Sequence, residues 1–206
     1  MPGMADDEEE TPDGPDTPRL GVNIRRVRNE KKLSLQSLAD LSGVSVGMIS
    51  QIERDLTSPS LRTLTKIRLA LKVPLSALFD EERYSVAGDP TFLRRAGRRP
   101  KLTFGRGALI KEILSSSDAT SDLQFMFVDV PPRQGTEDQP VSYASEKGGL
   151  VLSGQVVLDI DGVEATLNEG DSFQFDGSKP HGFRNPHDSP ARLMWIIVQT
   201  RAERHL

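Results

Sequence analysis

Cysteine is missing from all 206 residues, which excludes disulfides, thiol catalysis and thiolate-held zinc or iron–sulfur centres. That absence agrees with a reducing cytoplasm, where the protein is expected to work. No apolar run approaches the ~18 residues needed to cross a bilayer. The N-terminus also lacks the basic-then-apolar order of a secretory signal, so no membrane association is expected. Basic residues are absent from positions 1–18, which hold seven acids and several prolines. Such a stretch buries too little apolar surface to offset chain entropy and reads as a disordered acidic tail. The rest of the chain has room for two modest domains, each with its own core.

The most informative segment is Ser34 to Pro59, SLQSLADLSGVSVGMISQIERDLTSP. Ser34 is placed to cap a helix whose Leu35, Leu38, Ala39 and Leu41 follow i, i+3, i+4 spacing, and Gly43 supplies the positive φ that ends it. Ser45 caps a second helix in which Val44, Ile49 and Ile52 turn inward. Ser45, Val46, Gly47, Ser50, Gln51 and Arg54 are left on the open face. None of these is a carboxylate, so the face can approach a phosphate-lined major groove without repulsion. Glu53 lies behind it and is read as an anchor for the helix end. A preceding helix over Leu20–Lys32 carries Ile24 and Val27 inward, with Arg25, Arg26, Arg28, Lys31 and Lys32 around it. Ser60 caps a fourth helix with Leu61, Leu64, Ile67, Leu69, Ala70 and Leu71, and Pro74 opens a short fifth one ending near Phe79. Residues 20–80 resemble the Xre-type helix-turn-helix domain of bacterial repressors.

Charge is distributed to match. The formal net charge of −4 divides into −7 for residues 1–18, +6 for 19–80, +3 for 81–101 and −6 for 102–206. Positive charge therefore accumulates where the helix-turn-helix lies, with Arg25, Arg54 and Arg62 as candidate phosphate contacts. Residues 81–103 form a linker in which Arg94, Arg95, Arg98, Arg99 and Lys101 crowd around Gly97 and Pro100. It reads either as an extra phosphate-binding stretch or as a plain solvated connector.

From residue 104 the period changes to two. Leu123–Val130, Gly149–Leu152, Gln155–Ile160, Val163–Leu167, Ser172–Phe175 and Arg192–Gln199 are short apolar segments separated by turn residues. Asp161-Gly162 is the clearest hairpin signal among them. Evenly spaced short strands with no intervening helix indicate an antiparallel sandwich or barrel.

This half resembles the cupin family. In the first cupin motif Gly135 and Gly154 hold the outer glycine positions, Val141 and Tyr143 fall where two histidines stand in the family, and Lys147 falls at the glutamate. In the second, Gly170, Asp176, Ser178, His181 and Asn185 occupy the pattern positions. The resemblance implies a small jelly-roll barrel, and in metal-dependent members a site of three histidines and a carboxylate. Only His181 is retained at a ligand position, so no metal and no other cofactor is expected. Glu146 could replace the lost glutamate only through a one-residue slip, which would turn the strand inside out. His187 and His205 lie outside both motifs and read as surface residues. Motif registration directs Tyr143, Lys147 and His181 into the barrel, and a phenol, an ammonium and an imidazole suit a small anionic effector such as a carboxylate or a phosphorylated metabolite. Trp195, on the last strand, is a candidate fluorescent reporter of that pocket.

The fold class implied is α+β multidomain. An all-α five-helix DNA-binding domain (19–80) is followed, after the linker (81–103), by an all-β cupin barrel (104–206). That order resembles the bacterial regulators that include the putrescine-utilisation repressors, and implies a regulator that binds double-stranded operator DNA and senses a small molecule. One helix-turn-helix makes too few base contacts for useful specificity against a genome, so a homodimer is expected, paired through the cupin domain. Two other classes fit less well: a metal-dependent cupin enzyme fused to a DNA-binding domain, and an antitoxin-like interaction protein.

Overall fold

The computed structural model describes residues 19–79, 84–104, 109–116, 122–136 and 141–199. The acidic tail and His205 lie outside the described residues. Helices α1 (Leu20–Glu30), α2 (Leu35–Ser42), α3 (Val46–Glu53) and α4 (Leu61–Leu71) form the first domain. Each serine named above is an N-cap: Ser34 Oγ accepts from Ser37 N–H at 2.9 Å, Ser45 Oγ from Met48 N–H at 3.3 Å and Ser60 Oγ from Thr63 N–H at 3.1 Å. Gly43 ends α2 at φ 64°, a conformation that costs a residue with a Cβ. The expected fifth helix is only a 3₁₀ turn, Leu75–Leu78. Pro74 starts it, but four residues cannot complete two α turns before Phe79 becomes extended.

Ile24, Leu38, Ile49, Ile52, Leu64, Ile67, Leu71 and Leu78 are the fully buried centre of this domain. α1 crosses α3 so closely that a Cβ on Gly21 would stand 1.9 Å from the Ile52 carbonyl oxygen, and the Gly21 N–H donates to Asp55 Oδ1 at 2.8 Å. Arg28 is not one of the solvated cations around α1. It is buried with Glu53, Nε to Oε1 at 2.6 Å and Nη2 to Oε2 at 2.8 Å, while its Nη1 donates to the Leu33 carbonyl at 2.7 Å. Its position four residues after Ile24 puts it on the buried stripe, and only a bidentate carboxylate makes that burial tolerable. Glu53 is therefore the anchor of α3, tying the reading helix to α1.

After a short 3₁₀ turn at Ala96–Arg98 come, among the described residues, nine strands: β1 (Lys101–Phe104), β2 (Leu109–Ile113), β3 (Leu123–Val130), β4 (Ser145–Ser153), β5 (Val156–Ile160), β6 (Val163–Leu167), β7 (Ser172–Asp176), β8 (His181–Arg184) and β9 (Ala191–Gln199). They form two antiparallel sheets, β1-β2-β3-β9-β4-β7 and β6-β5-β8. Asp161 and Gly162, both at positive φ, make the two-residue turn between β5 and β6. The sheets face each other across a shared core, with the Phe183 and Trp195 rings 5.4 Å apart. The expected closed barrel is not formed among the described residues. Beside β8 run only single bridges, Gly135 to Arg184 and Val141 to His181, in place of a ladder. Pro131 and Pro132, just before that segment, have no N–H to extend it.

The two domains share one continuous apolar core. Across it the Leu75 N–H donates to Oε1 of the buried Gln124 of β3 at 2.9 Å.

Candidate functional site

The open face of α3 is as its period demands. Ser45, Gly47, Gln51 and Arg54 are exposed, and Val46 and Ser50 are half-buried at its edge. Arg25 and Arg62 are exposed on neighbouring helices, and neither they nor Arg54 has an acidic partner among the described residues. The linker cations are different. Arg95 is held by Asp89 through two 2.8 Å bonds, and Arg99 lies 3.4 Å from Glu112 and over the Phe127 ring. Arg98 remains exposed.

In the β domain, Tyr143, Lys147 and His181 do come together. Lys147 Nζ lies 2.6 Å from His181 Nε2, and His181 Nδ1 lies 2.7 Å from the Lys179 carbonyl oxygen. A carbonyl only accepts, so Nδ1 carries the ring proton and Nε2 offers its lone pair to the lysine. The Lys147 ammonium also sits over the Tyr143 ring, 4.1 Å from its centroid. Lys147 is 3% exposed and His181 6%. Two further cations converge here that the motifs did not name. Arg68, on α4, has its guanidinium carbon 4.8 Å from the Tyr143 centroid, and the partly buried Lys111 of β2 lies close enough to affect its neighbours' charge.

Burial, and then the charges of Lys111 and Arg68, pull the Lys147 pKa down to about 7. Burial and Arg68 bring Lys111 down to about 8. Burial and Lys147 take His181 to about 4, with the Lys179 carbonyl opposing the fall. Burial also raises the Tyr143 phenol, partly offset by Arg68. The arrangement is a compact group of positive charges around a phenol and a neutral imidazole, with no described acid paired to Arg68, Lys111 or Lys147. Chemically it is matched to an oxyanion.

The residues do not fit a metal. Val141 has no donor, Lys147 brings a charge of the wrong sign, and the His181 lone pair a metal would need already faces Lys147 Nζ. Among the described residues no three His, Cys, Asp or Glu side chains cluster. Glu146 points away, exposed and bonded to Gln174 Nε2 across β7, so no slip brings it inside.

A helix-turn-helix family model matches residues 24–78 and a cupin-domain model matches 126–197. The HTH-type transcriptional regulators PuuR and SutR of Escherichia coli strain K12 are similar along nearly the whole chain. PuuR is 26% identical over 174 residues, 84% of this chain and 91% of its own. SutR is 27% identical over 185 residues, 89% of this chain and 96% of its own. The protein is an Xre-family transcriptional regulator with a C-terminal cupin domain. An HTH_3 family transcriptional regulator from Vibrio cholerae shares this regulator's fold, with TM-score 0.67 and 23% identity over 89% of this chain and 96% of that one. No helix of the regulator among the described residues is long and apolar enough to cross a membrane.

Arg68 and Lys111 are the cations of this group that the cupin motifs did not name. A signal for both was present. Arg68 stands four residues after Leu64 and three before Leu71, on the apolar stripe of α4. Lys111 shares strand parity with buried Leu109 and Ile113. A cation on a buried stripe needs a reason, and here the reason is the group it meets.

Proposed function

We propose that this regulator works in the cytoplasm as a homodimer and reads paired half-sites of double-stranded operator DNA. Ser45, Val46, Gly47, Ser50 and Gln51 of α3 meet base edges, while Arg25, Arg54 and Arg62 contact phosphates. Its cupin domain takes up a small anion at Tyr143, Lys147 and His181 and performs no catalysis. The observation that carries the sensing half is the Lys147 to His181 contact of 2.6 Å. It occupies the one imidazole lone pair that could serve as a base or a metal ligand, and it leaves an ammonium as the group that receives the ligand. The DNA-reading half rests on an α3 face that is open, capped by Ser45 and free of carboxylates.

Genome-wide mapping of DNA bound by the protein in its own cells tests the reading. Enrichment at inverted repeats with half-sites about one helical turn apart is expected. Metabolites of the genes so identified are then titrated against the complex, and an anionic one should change operator affinity. Binding without enrichment over random sequence would refute the operator reading, and a preference for amines would refute the anionic pocket.

A further inference from the structure

Arg68 belongs to the DNA-binding domain, yet its guanidinium lies against Tyr143 of the cupin domain. It is 3% exposed and hydrogen-bonded to the Tyr143 hydroxyl, but its Nη1 has no hydrogen-bond partner and no acid among the described residues is paired with it. A guanidinium is not buried without a carboxylate unless something else accepts its hydrogens. The contrast within the same domain is direct, because Arg28 has every one of its nitrogens answered by Glu53 and Leu33. The Tyr143 ring lies within cation–π range of both Arg68 and Lys147, one from each domain, and Lys111 of β2, whose ammonium sits 6.0 Å from the Phe104 ring centroid, adds its charge nearby. Two cations on one phenol, with a third close by, make a half-site whose missing half is a negatively charged ligand.

Resting on the anion-sensing reading above, we infer that the effector site is closed by Arg68, so that a small multivalent oxyanion bridges the β domain to helix α4 and couples occupancy directly to the DNA-reading domain. The planar fork of Arg68 suits two oxygens of one carboxylate or phosphate group, and the Lys147 and Lys111 ammoniums supply the countercharge for the rest of the anion. α4 packs by Leu64, Ile67 and Leu71 into the core shared with α2 and α3. A ligand that grips Arg68 therefore favours one placement of the helical domain on the β domain over others, which is the differential contact that coupling requires. No signal has to pass through the linker.

The test uses the full-length protein with two probes, succinate for the carboxylate class and inorganic phosphate for the phosphate class. Affinity is read by calorimetry and amide exchange by mass spectrometry over residues 61–71. At least one probe should bind the wild type and slow exchange in α4. Arg68→Met, which keeps the apolar stem, should weaken binding by roughly tenfold to a hundredfold, the loss expected for a charge-assisted hydrogen bond, and remove the α4 protection. Arg68→Lys keeps the charge without the fork and should fall between the two, which preserves the test should the methionine variant misfold. If a probe binds in a Lys147-dependent way but Arg68→Met binds it equally well, or α4 exchange does not respond, closure by Arg68 is wrong and the anion pocket survives. If neither probe binds the wild type at millimolar concentration, both inferences fail.

Discussion

Burying two lysines with no counter-ion among the described residues has a consequence for stability that is measured without knowing the effector. Lys147 and Lys111 have folded pKa values of about 7 and about 8, against an ordinary value of 10.5 in the unfolded chain. Between these limits the unfolded state holds more protons than the folded one, so stability rises with pH. From pH 7 to 9, linkage assigns about 2 kcal/mol to Lys147 and about 1 kcal/mol to Lys111, roughly 3 kcal/mol together. Few other groups interfere in that window, since the chain has no thiols and the Tyr143 phenol is raised. Urea unfolding followed by Trp195 fluorescence reads the β domain directly, because the indole is packed among Phe173, Phe175 and Phe183. Lys147→Met should raise stability at pH 7 and flatten the rise by about two thirds. A wild type whose stability falls from pH 7 to 9, or a variant with an unchanged slope, would show that these lysines are solvated or already paired. A bound anion should flatten the same curve, since it restores the proton to Lys147.

Gln51→Ala should cost about 1–3 kcal/mol at the operator and relax sequence preference there, as measured by binding to operator and random duplexes. An equal loss on both would make Gln51 a backbone contact. Arg28→Met should destabilise the helical domain by about 3–5 kcal/mol in thermal or urea unfolding, because Glu53 is left buried and unpaired. Adding Glu53→Leu should recover most of that loss, and a double variant no better than the single would mean that packing rather than charge sets the cost. Operator affinity should decline with salt at a log–log slope near −0.9 per neutralised phosphate. Neutralising Arg25, Arg54 and Arg62 together should flatten it, whereas Arg95→Ala, which only releases Asp89, should leave it nearly unchanged.

The sequence by itself determined everything that depends on neighbours three or four positions away. Ser34, Ser45 and Ser60 cap, Gly43 terminates and Asp161-Gly162 turns because these are local backbone requirements met by local side chains. The glycine spacings and His181 likewise located the cupin domain. Three strands were not legible: β1 follows an arginine-rich stretch, β2 carries Lys111 and Glu112 in five residues, and β8 contains Gly182 and Arg184. Neighbouring strands supply the hydrogen bonds that make these segments extended, and local propensity does not. Tertiary structure alone decided the fate of the cations. Arg28 lies on a buried stripe and finds Glu53, whereas Arg68 lies on another and finds Tyr143, 75 residues away in sequence, with no acid beside it among the described residues. Periodicity shows which face of a helix is covered but not which distant side chain covers it, and electrostatic interaction depends on that distance and on the exclusion of water. Whether a buried cation meets a carboxylate or a ring is therefore decided only by tertiary packing.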